Sequence, residues 1–362
     1  MSDPIAPLKV VVALSGGVDS GVAAAILVER GYDVIGVTLR LRSERISHPV
    51  PPVDAIDCAR GICHKLGIPF RLIDAQEVFQ KQVVEPFISE YAAGRTPNPC
   101  VRCNRFLRFG LLMDRAQTMD ATALATGHYA RVRENQGRRQ LLRGKDPRKD
   151  QSYFLYRMNQ AQLARVLFPL GALTKEEVRD YARRRGLPVS GQPASQDICF
   201  LAGEDYRRFL ADCAPHVTRP GPIQDLGGRV LGQHQGLAAY TIGQRKGLAI
   251  SAAEPLYVLA IRPEDNALIV GTAGELDRDW CLVEHMHFIN GQPATHPFRA
   301  LAQTRYRAQP ASVVVHPLPR RRARVVFDAP QRGIAPGQSL VLYDCVAVLG
   351  GGIICGAQDS ML

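Results

Sequence analysis

The chain has 362 residues, 46% of them hydrophobic, enough for two or three domains with sizeable cores. No apolar run approaches the ~18 residues of a membrane span, and Met1-Ser2-Asp3-Pro4 lacks the basic and apolar regions of a secretory signal. The formal charge is +11, concentrated at 131–185, where 15 Lys/Arg meet 6 Asp/Glu, a field suited to a polyanion or to a plain solvated basic face. From the N-terminus, an apolar strand at 10–14 runs into Ser15-Gly16-Gly17-Val18-Asp19-Ser20 and then a helix near 21–30. Gly16 and Gly17 allow positive φ and close backbone approach on this strand-to-helix turn. Helix N–H groups point back at it and favour an anion. Asp19 and the two hydroxyls suit phosphate oxygens and Mg²⁺. No Gly-Lys-Ser/Thr follows, so this is not a Walker A loop.

Strands recur at 34–41, 70–73 and 121–125, alternating with helices near 54–66, 76–93 and 104–119. Gly31, Gly67 and Gly94 sit just past helix ends as left-handed caps. The alternation predicts a doubly wound parallel sheet, Rossmann-like, with ligands at the carboxyl ends of its strands. Ser15–Ser20 and Thr126-Gly127-His128-Tyr129 both fall there. After about residue 205 short strands take over, at 256–261, 267–270, 300–307, 311–315, 323–327, 339–342 and 347–354, which reads as a β-rich region ending in a barrel. Arg219-Pro220-Gly221-Pro222 reads as a linker.

Nine cysteines without a dense framework point to a reducing compartment, the cytosol, with some thiols reserved for chemistry. Cys100 and Cys103 form a Cys-x-x-Cys on a Pro-rigidified loop entering a helix, where thiol pKa values fall, and Arg102 and Arg105 add positive charge. A redox pair, half a metal site and structural thiols all fit that spacing. A third cysteine, Cys199, lies in Ser195-Gln196-Asp197-Ile198-Cys199-Phe200. Cys58, Cys63, Cys213, Cys281, Cys345 and Cys355 read as packed small hydrophobes.

The ordered motifs are SGGVDS, GRTPNP at 94–99 with Cys103-Asn104, ATGHYAR at 125–131, LLRG at 141–144 and KDQSYFLY at 149–156. ICF at 198–200, TIGQRKGL at 241–248, TRYR at 304–307, PGQS at 336–339 and LGGGII at 349–354 complete the set. Together they resemble the tRNA-specific 2-thiouridylase family of the PP-loop ATP-pyrophosphatases over essentially the whole length. The resemblance implies a PP-loop catalytic domain at 1–205, a small central tRNA-contacting domain at 206–276 and a C-terminal β-barrel at 277–362. It implies ATP-dependent 2-thiolation of the wobble uridine: adenylation of the uracil C2 oxygen, then sulfur transfer from a persulfide, with AMP and pyrophosphate released.

Residue by residue, the resemblance implies a persulfide on Cys199 and a partner thiol on Cys103. ATP would lie against Ala13, Leu14, Ser15, Gly16, Gly17, Val18, Asp19, Ser20, Leu39 and Gly127. tRNA would touch His128, Lys149, Asp150, Gln151, Arg305, Tyr306 and Gln338, and either tRNA or solvent would face Arg320-Arg321-Arg322. Cys100 stands where many members carry an aspartate. Two roles are open for it: acid/base group, or third thiolate with Cys103 and Cys199 of a [4Fe–4S] cluster. Implied partners are tRNA with a wobble uridine and a sulfur donor, such as a cysteine desulfurase or a sulfur-relay protein, in the cytoplasm and away from membranes. Two other classes remain: an amide-forming PP-loop synthetase, which needs neither these thiols nor a basic surface, and a catalytically silent tRNA-binding protein.

Overall fold

The computed structural model describes residues 7–41, 55–187, 198–201 and 204–356. The N-terminal Met1–Pro4 and the Ser195–Asp197 part of the third cysteine motif lie outside the described residues. Strands β1 (Lys9–Ala13), β2 (Asp33–Arg40), β3 (Phe70–Asp74), β4 (Ala123–Thr126), β5 (Ala130–Asn135), β6 (Arg138–Arg143) and β7 (Val166–Leu167) belong to the first part of the chain. Five of them form the expected parallel sheet, in order β3-β2-β1-β4-β7. Val10, Val11 and Val12 of β1 are fully buried, as a central strand covered on both faces requires. The strand order reverses between β1 and β4, where Ala13 pairs with Thr126. A crevice opens at the carboxyl ends of strands flanking such a switch point.

The β5–β6 hairpin, absent from the sequence reading, leaves this sheet and bonds to the barrel through Leu142 and Ala347. The expected linker is instead a strand: β8 (Gly221–Gln224) pairs with β9 (Val230–His234) and with β11 (Ala267–Gly271), while β10 (Tyr257–Arg262) flanks β11. Asn266 side-chain and backbone oxygen contacts fix Pro220 and His234 around Gly221, which has no room for a Cβ.

Strands β12 (Asp277–Phe288), β13 (Phe298–Gln303), β14 (Ala311–Leu318), β15 (Arg322–Arg332), β16 (Ser339–Asp344) and β17 (Ala347–Gly356) close into a six-stranded barrel, β12-β15-β14-β13-β16-β17 and back to β12. It packs on the N-terminal domain through buried Tyr153 and Tyr156. Tyr153 donates to Ser339 O at 2.8 Å, and Tyr156 lies against Gly351, where a Cβ would come within 3.1 Å of its ring. The KDQSYFLY and LGGGII motifs are thus two sides of one interface.

Candidate active site

The Gly-rich turn is built more tightly than its sequence suggests. Only Gly16 takes positive φ, +74°; Gly17 is extended (φ −90°, ψ 164°) and is the N-cap of a helix, Val18–Glu29, that starts three residues earlier than expected. Asp19 and Ser20 therefore stand in its first turn. Gly17 supplies no capping side chain, which leaves first-turn N–H groups for another acceptor. Ser20 Oγ holds the turn shut: it donates to Gly17 O at 3.1 Å, accepts from Ser15 N at 3.1 Å and lies 3.2 Å from Ser15 Oγ. Leu14 is buried, its carbonyl accepting from Thr38 Oγ1, and Leu39 follows on β2 against two of the core clusters.

Gly127 does not stand apart from this turn. A Cβ there would come within 2.8 Å of Asp19 C and Ser20 N, so the strand end is packed on the turn's own backbone. Two residues missed by the sequence reading hold Asp19: Lys175 Nζ at 2.6 Å and Tyr129 OH at 2.8 Å, both donating to Oδ1. Lys175 is the first residue of the helix Lys175–Arg184, entered through a Thr174–Glu177 capping box. A lysine at a helix N-terminus opposes the macrodipole, and that misfit was the available signal.

The second centre is the helical run 99–117. Asn98 caps it, its Oδ1 accepting from Val101 N, and Pro99 occupies the first position. Cys100 and Cys103 are inside the helix, not on a loop before it. After Cys103 the run widens into a π-helix, Asn104–Leu112, made possible where Gly110 closes over Arg105 O. Asn104 donates to Phe154 O and accepts from Arg108 Nη1 at 2.9 Å.

The expected fall in thiol pKa is not met. Burial pushes Cys100 up to about 12, reinforced by Cys199 and Cys103 and opposed by Arg108. Burial likewise raises Cys103 to about 11, against the pull of Arg108. Desolvation outweighs the helix N-terminus here. Arg102 does not aid either thiol: it donates to Gln82 O and stacks on Phe106. Cys199 is exposed at the start of the turn Cys199–Leu201, anchored by Phe200, whose ring packs on Phe79, Phe87 and Phe209. Cys103 packs in one cluster with Phe200 and Ile198, which flank Cys199, yet among the described residues no group of three His, Cys, Asp or Glu is arranged to hold a metal ion. Of the remaining cysteines, Cys63 and Cys281 are buried as expected, whereas Cys213 and Cys345 are exposed.

The residues expected at tRNA divide in two. His128 is buried, its Nδ1 2.8 Å from Thr126 Oγ1, and burial with nearby Arg108 drives it down to about 3. It is a neutral imidazole. Asp150 accepts from Arg143, Gly144 N and Ser152; Gln151 Oε1 accepts from Tyr129 N; Gln338 Nε2 donates to Thr96 O and Pro97 O. Asp150 is buried and Gln151 and Gln338 are half-buried, and Gln338 braces the loop that leads into the thiol-bearing helix. Lys149 is half-buried and Arg305 exposed, while Tyr306 lies with its ring 4.5 Å from that of Phe154. Arg320 and Arg321 form the left-handed turn between β14 and β15.

Three family models match the chain in succession: a tRNA methyl transferase HUP domain at residues 8–203, a tRNA methyl transferase PRC-barrel domain at 207–272 and an aminomethyltransferase beta-barrel domain at 278–354. A tRNA-specific 2-thiouridylase MnmA of Magnetococcus marinus is 48% identical over 354 residues, covering 96% of this chain and 99% of the relative. One of the same name from Moorella thermoacetica is 47% identical, covering 95% and 98%. Among solved structures, the U34-tRNA thiolase NcsA of Methanococcus maripaludis with its [4Fe-4S] cluster aligns at 18% identity and a TM-score of 0.35, over 58% of this chain and 65% of that one.

Proposed function

The chain belongs to the tRNA-specific 2-thiouridylase family, and from its site geometry we propose that it thiolates the wobble uridine of tRNA by adenylation followed by persulfide transfer. The methyl transferase wording of the family models fits the site less well, since three converging thiols have no task in methyl transfer. ATP binds with its phosphates on the first-turn N–H groups after Gly17 and on the Ser15 and Ser20 hydroxyls. Asp19 with substrate phosphates suits Mg²⁺, which would neutralise charge on the departing pyrophosphate. Lys175 fixes that carboxylate and adds a cation beside the leaving group.

The uracil C2 oxygen attacks the α-phosphorus and pyrophosphate leaves, which turns a poor leaving group into AMP. The terminal sulfur of a persulfide on Cys199 then bonds to C2. The Cys103 thiolate attacks Cys199 Sγ, the S–S bond breaks, and its electron pair stays on the sulfur bound to C2. That sulfur expels AMP as the C=S bond forms, leaving a Cys103–Cys199 disulfide. A thiol reductant restores both cysteines, and a cysteine desulfurase or sulfur-relay protein reloads Cys199, in the cytoplasm with the tRNA. The alternative of an iron–sulfur cluster needs Cys100, Cys103 and Cys199 as joint ligands, and among the described residues no three such groups are arranged to hold a metal ion.

The observation that supports this reading most is that Cys103 packs in one buried cluster with Phe200 and Ile198, the two neighbours of Cys199. The test measures AMP release and 2-thiouridine in a U34 transcript, with persulfide-loaded enzyme. Cys199→Ser and Cys103→Ser each lose thiolation and keep tRNA-dependent AMP release. Thiolation surviving in either variant would overturn the assignment.

A further inference from the structure

Three arginines from separate segments meet at the seam between the thiol-bearing helical run and the barrel. Arg105 lies two residues past Cys103. Arg157 follows the buried tyrosines. Arg321 is on the β14–β15 turn. Arg157 Nη1 donates to His285 O at 2.6 Å and Arg321 Nε to Met286 O at 2.9 Å, so two guanidinium groups hold consecutive carbonyls of β12. Arg105 and Arg157 line one hollow with Asn104, Phe154, Met158 and Gln162. Among the described residues, no carboxylate comes within ion-pairing distance of any of the three.

Arg105 and Arg321 are exposed and Arg157 is half-buried, so like charges gather at the surface of the seam. Burial and then neighbouring arginines pull Arg105 below the ordinary guanidinium value, and Arg157 is lowered in the same way, with Tyr156 opposing. His287, whose Nε2 is 2.8 Å from Met158 O, is lowered first by burial and then by all three arginines, against the support of that bond. Like charges gathered without a counter-ion repel, and a bound anion relieves them.

We propose that Arg105, Arg157 and Arg321 form a single seat for a phosphodiester of the RNA substrate, holding the strand beside the target uridine against the seam. The proposal rests on tRNA being the substrate. Planar guanidinium forks match phosphate oxygens. Phe154 lines the same hollow and packs on Tyr306, so apolar ring surface lies beside the phosphate seat, as single-stranded RNA recognition needs. The seat is two residues from Cys103, which suits a contact made close to the reacting base.

The test uses the full chain and a U34 tRNA transcript in filter binding across a salt series. The variants are Arg105→Gln, Arg321→Gln and their double, with Arg30→Gln as a charge-matched control on a distant helix end. Removing one phosphate contact lowers the slope of log K against log[salt] by roughly 0.7 to 0.9. The double variant should show that loss and at least tenfold weaker binding at 0.1 M salt, whereas Arg30→Gln follows wild type and Arg105→Lys keeps most of the slope. Unchanged melting temperatures separate this from misfolding. An unchanged slope in the double variant would overturn the seat while leaving the thiolation reading intact. Failure of the wild type to bind tRNA would overturn that reading itself. Displacement by polyglutamate that is lost in the variants, with tRNA slopes unaltered, would assign the seat to an acidic protein and equally overturn it.

Discussion

Gly127→Ala tests whether the end of β4 sets the position of the Gly-rich turn. The φ of Gly127 is not in the positive region, so alanine is permitted by the backbone and only space decides. Its Cβ would lie 2.8 Å from Asp19 C, 2.8 Å from Ser20 N and 3.1 Å from Asp19 O. Ordinary contact begins near 3.4 Å, so the first turn of the helix must retreat by about 0.6 Å, and as backbone it has no rotamer to change. Forcing such a contact costs about 1–3 kcal/mol. A shift of that size at a phosphate-binding turn should slow AMP formation by about 10- to 100-fold, given that a 1 Å misplacement costs about 10²-fold. tRNA-dependent AMP release from labelled ATP, with KM and kcat separated, gives the readout, and thermal melting gives the stability. Gly17→Ala is the contrast: its Cβ meets nothing nearer than Ser15 Oγ at 3.5 Å, so its melting temperature should stay near wild type. Gly127→Ala with wild-type melting and wild-type AMP kinetics would refute the packing argument.

Asp19→Ala should abolish AMP release with tRNA affinity nearly intact, and should also lower stability by about 1–3 kcal/mol because it strands the mostly buried Lys175 ammonium. The double Asp19→Ala/Lys175→Met should regain stability in denaturant melts but not activity. Cys100→Ala should keep both AMP release and thiolation within a few-fold, since a thiol held near 12 shuttles no protons at neutral pH; a hundredfold loss in either would restore an acid/base role. His128 is lowered from 6.5 to about 3, so its stabilising contribution is complete above pH 6.5 and is lost progressively as pH falls toward 3. Denaturant midpoints should therefore fall from pH 6.5 to 4, more shallowly in His128→Gln by about 1.4 kcal/mol per pH unit.

The parallel sheet was legible because its strands are continuous apolar runs and its helices end at Gly31, Gly67 and Gly94, which take φ of +78°, +66° and +67°. The barrel was read without its longest strand. β12 carries register shifts after Arg278, Leu282 and Glu284, and each bulge breaks the alternation by which a strand is recognised. The β5–β6 hairpin was hidden by charge, since its exposed face is Arg, Glu and Asn and its turn is Gln136-Gly137. Asp150, Gln151 and Gln338 bond to groups within the fold, and a motif match does not separate such bracing from RNA recognition, which the same side chains can also serve. The thiol pKa values were missed for a related reason: helix position is visible in sequence, but burial is not.

Access to the three thiols supplies a direction for sulfur that does not depend on resemblance. Cys199 is exposed, Cys100 is half-buried and Cys103 is buried. On the proposed mechanism this order of exposure makes Cys199 the thiol that an external sulfur donor would reach first. Cys103 packs in the cluster that holds Phe200 and Ile198, the neighbours of Cys199. Its raised pKa protects it from premature oxidation, because the thiolate is the reacting form. In the proposed disulfide step the Cys103 proton would have to leave, and the nearby Arg108 charge favours this. Its field also reaches His128, which follows Gly127 at the end of β4. Arg108 donates to Asn104, the residue after Cys103, and its charge acts on both His128 and Cys103. On the proposed mechanism, Arg108→Gln should slow 2-thiouridine formation in a single turnover of persulfide-loaded enzyme while tRNA-dependent AMP release stays near wild type; an equal loss of both would refute a role for this charge in resolving the Cys199-linked sulfur.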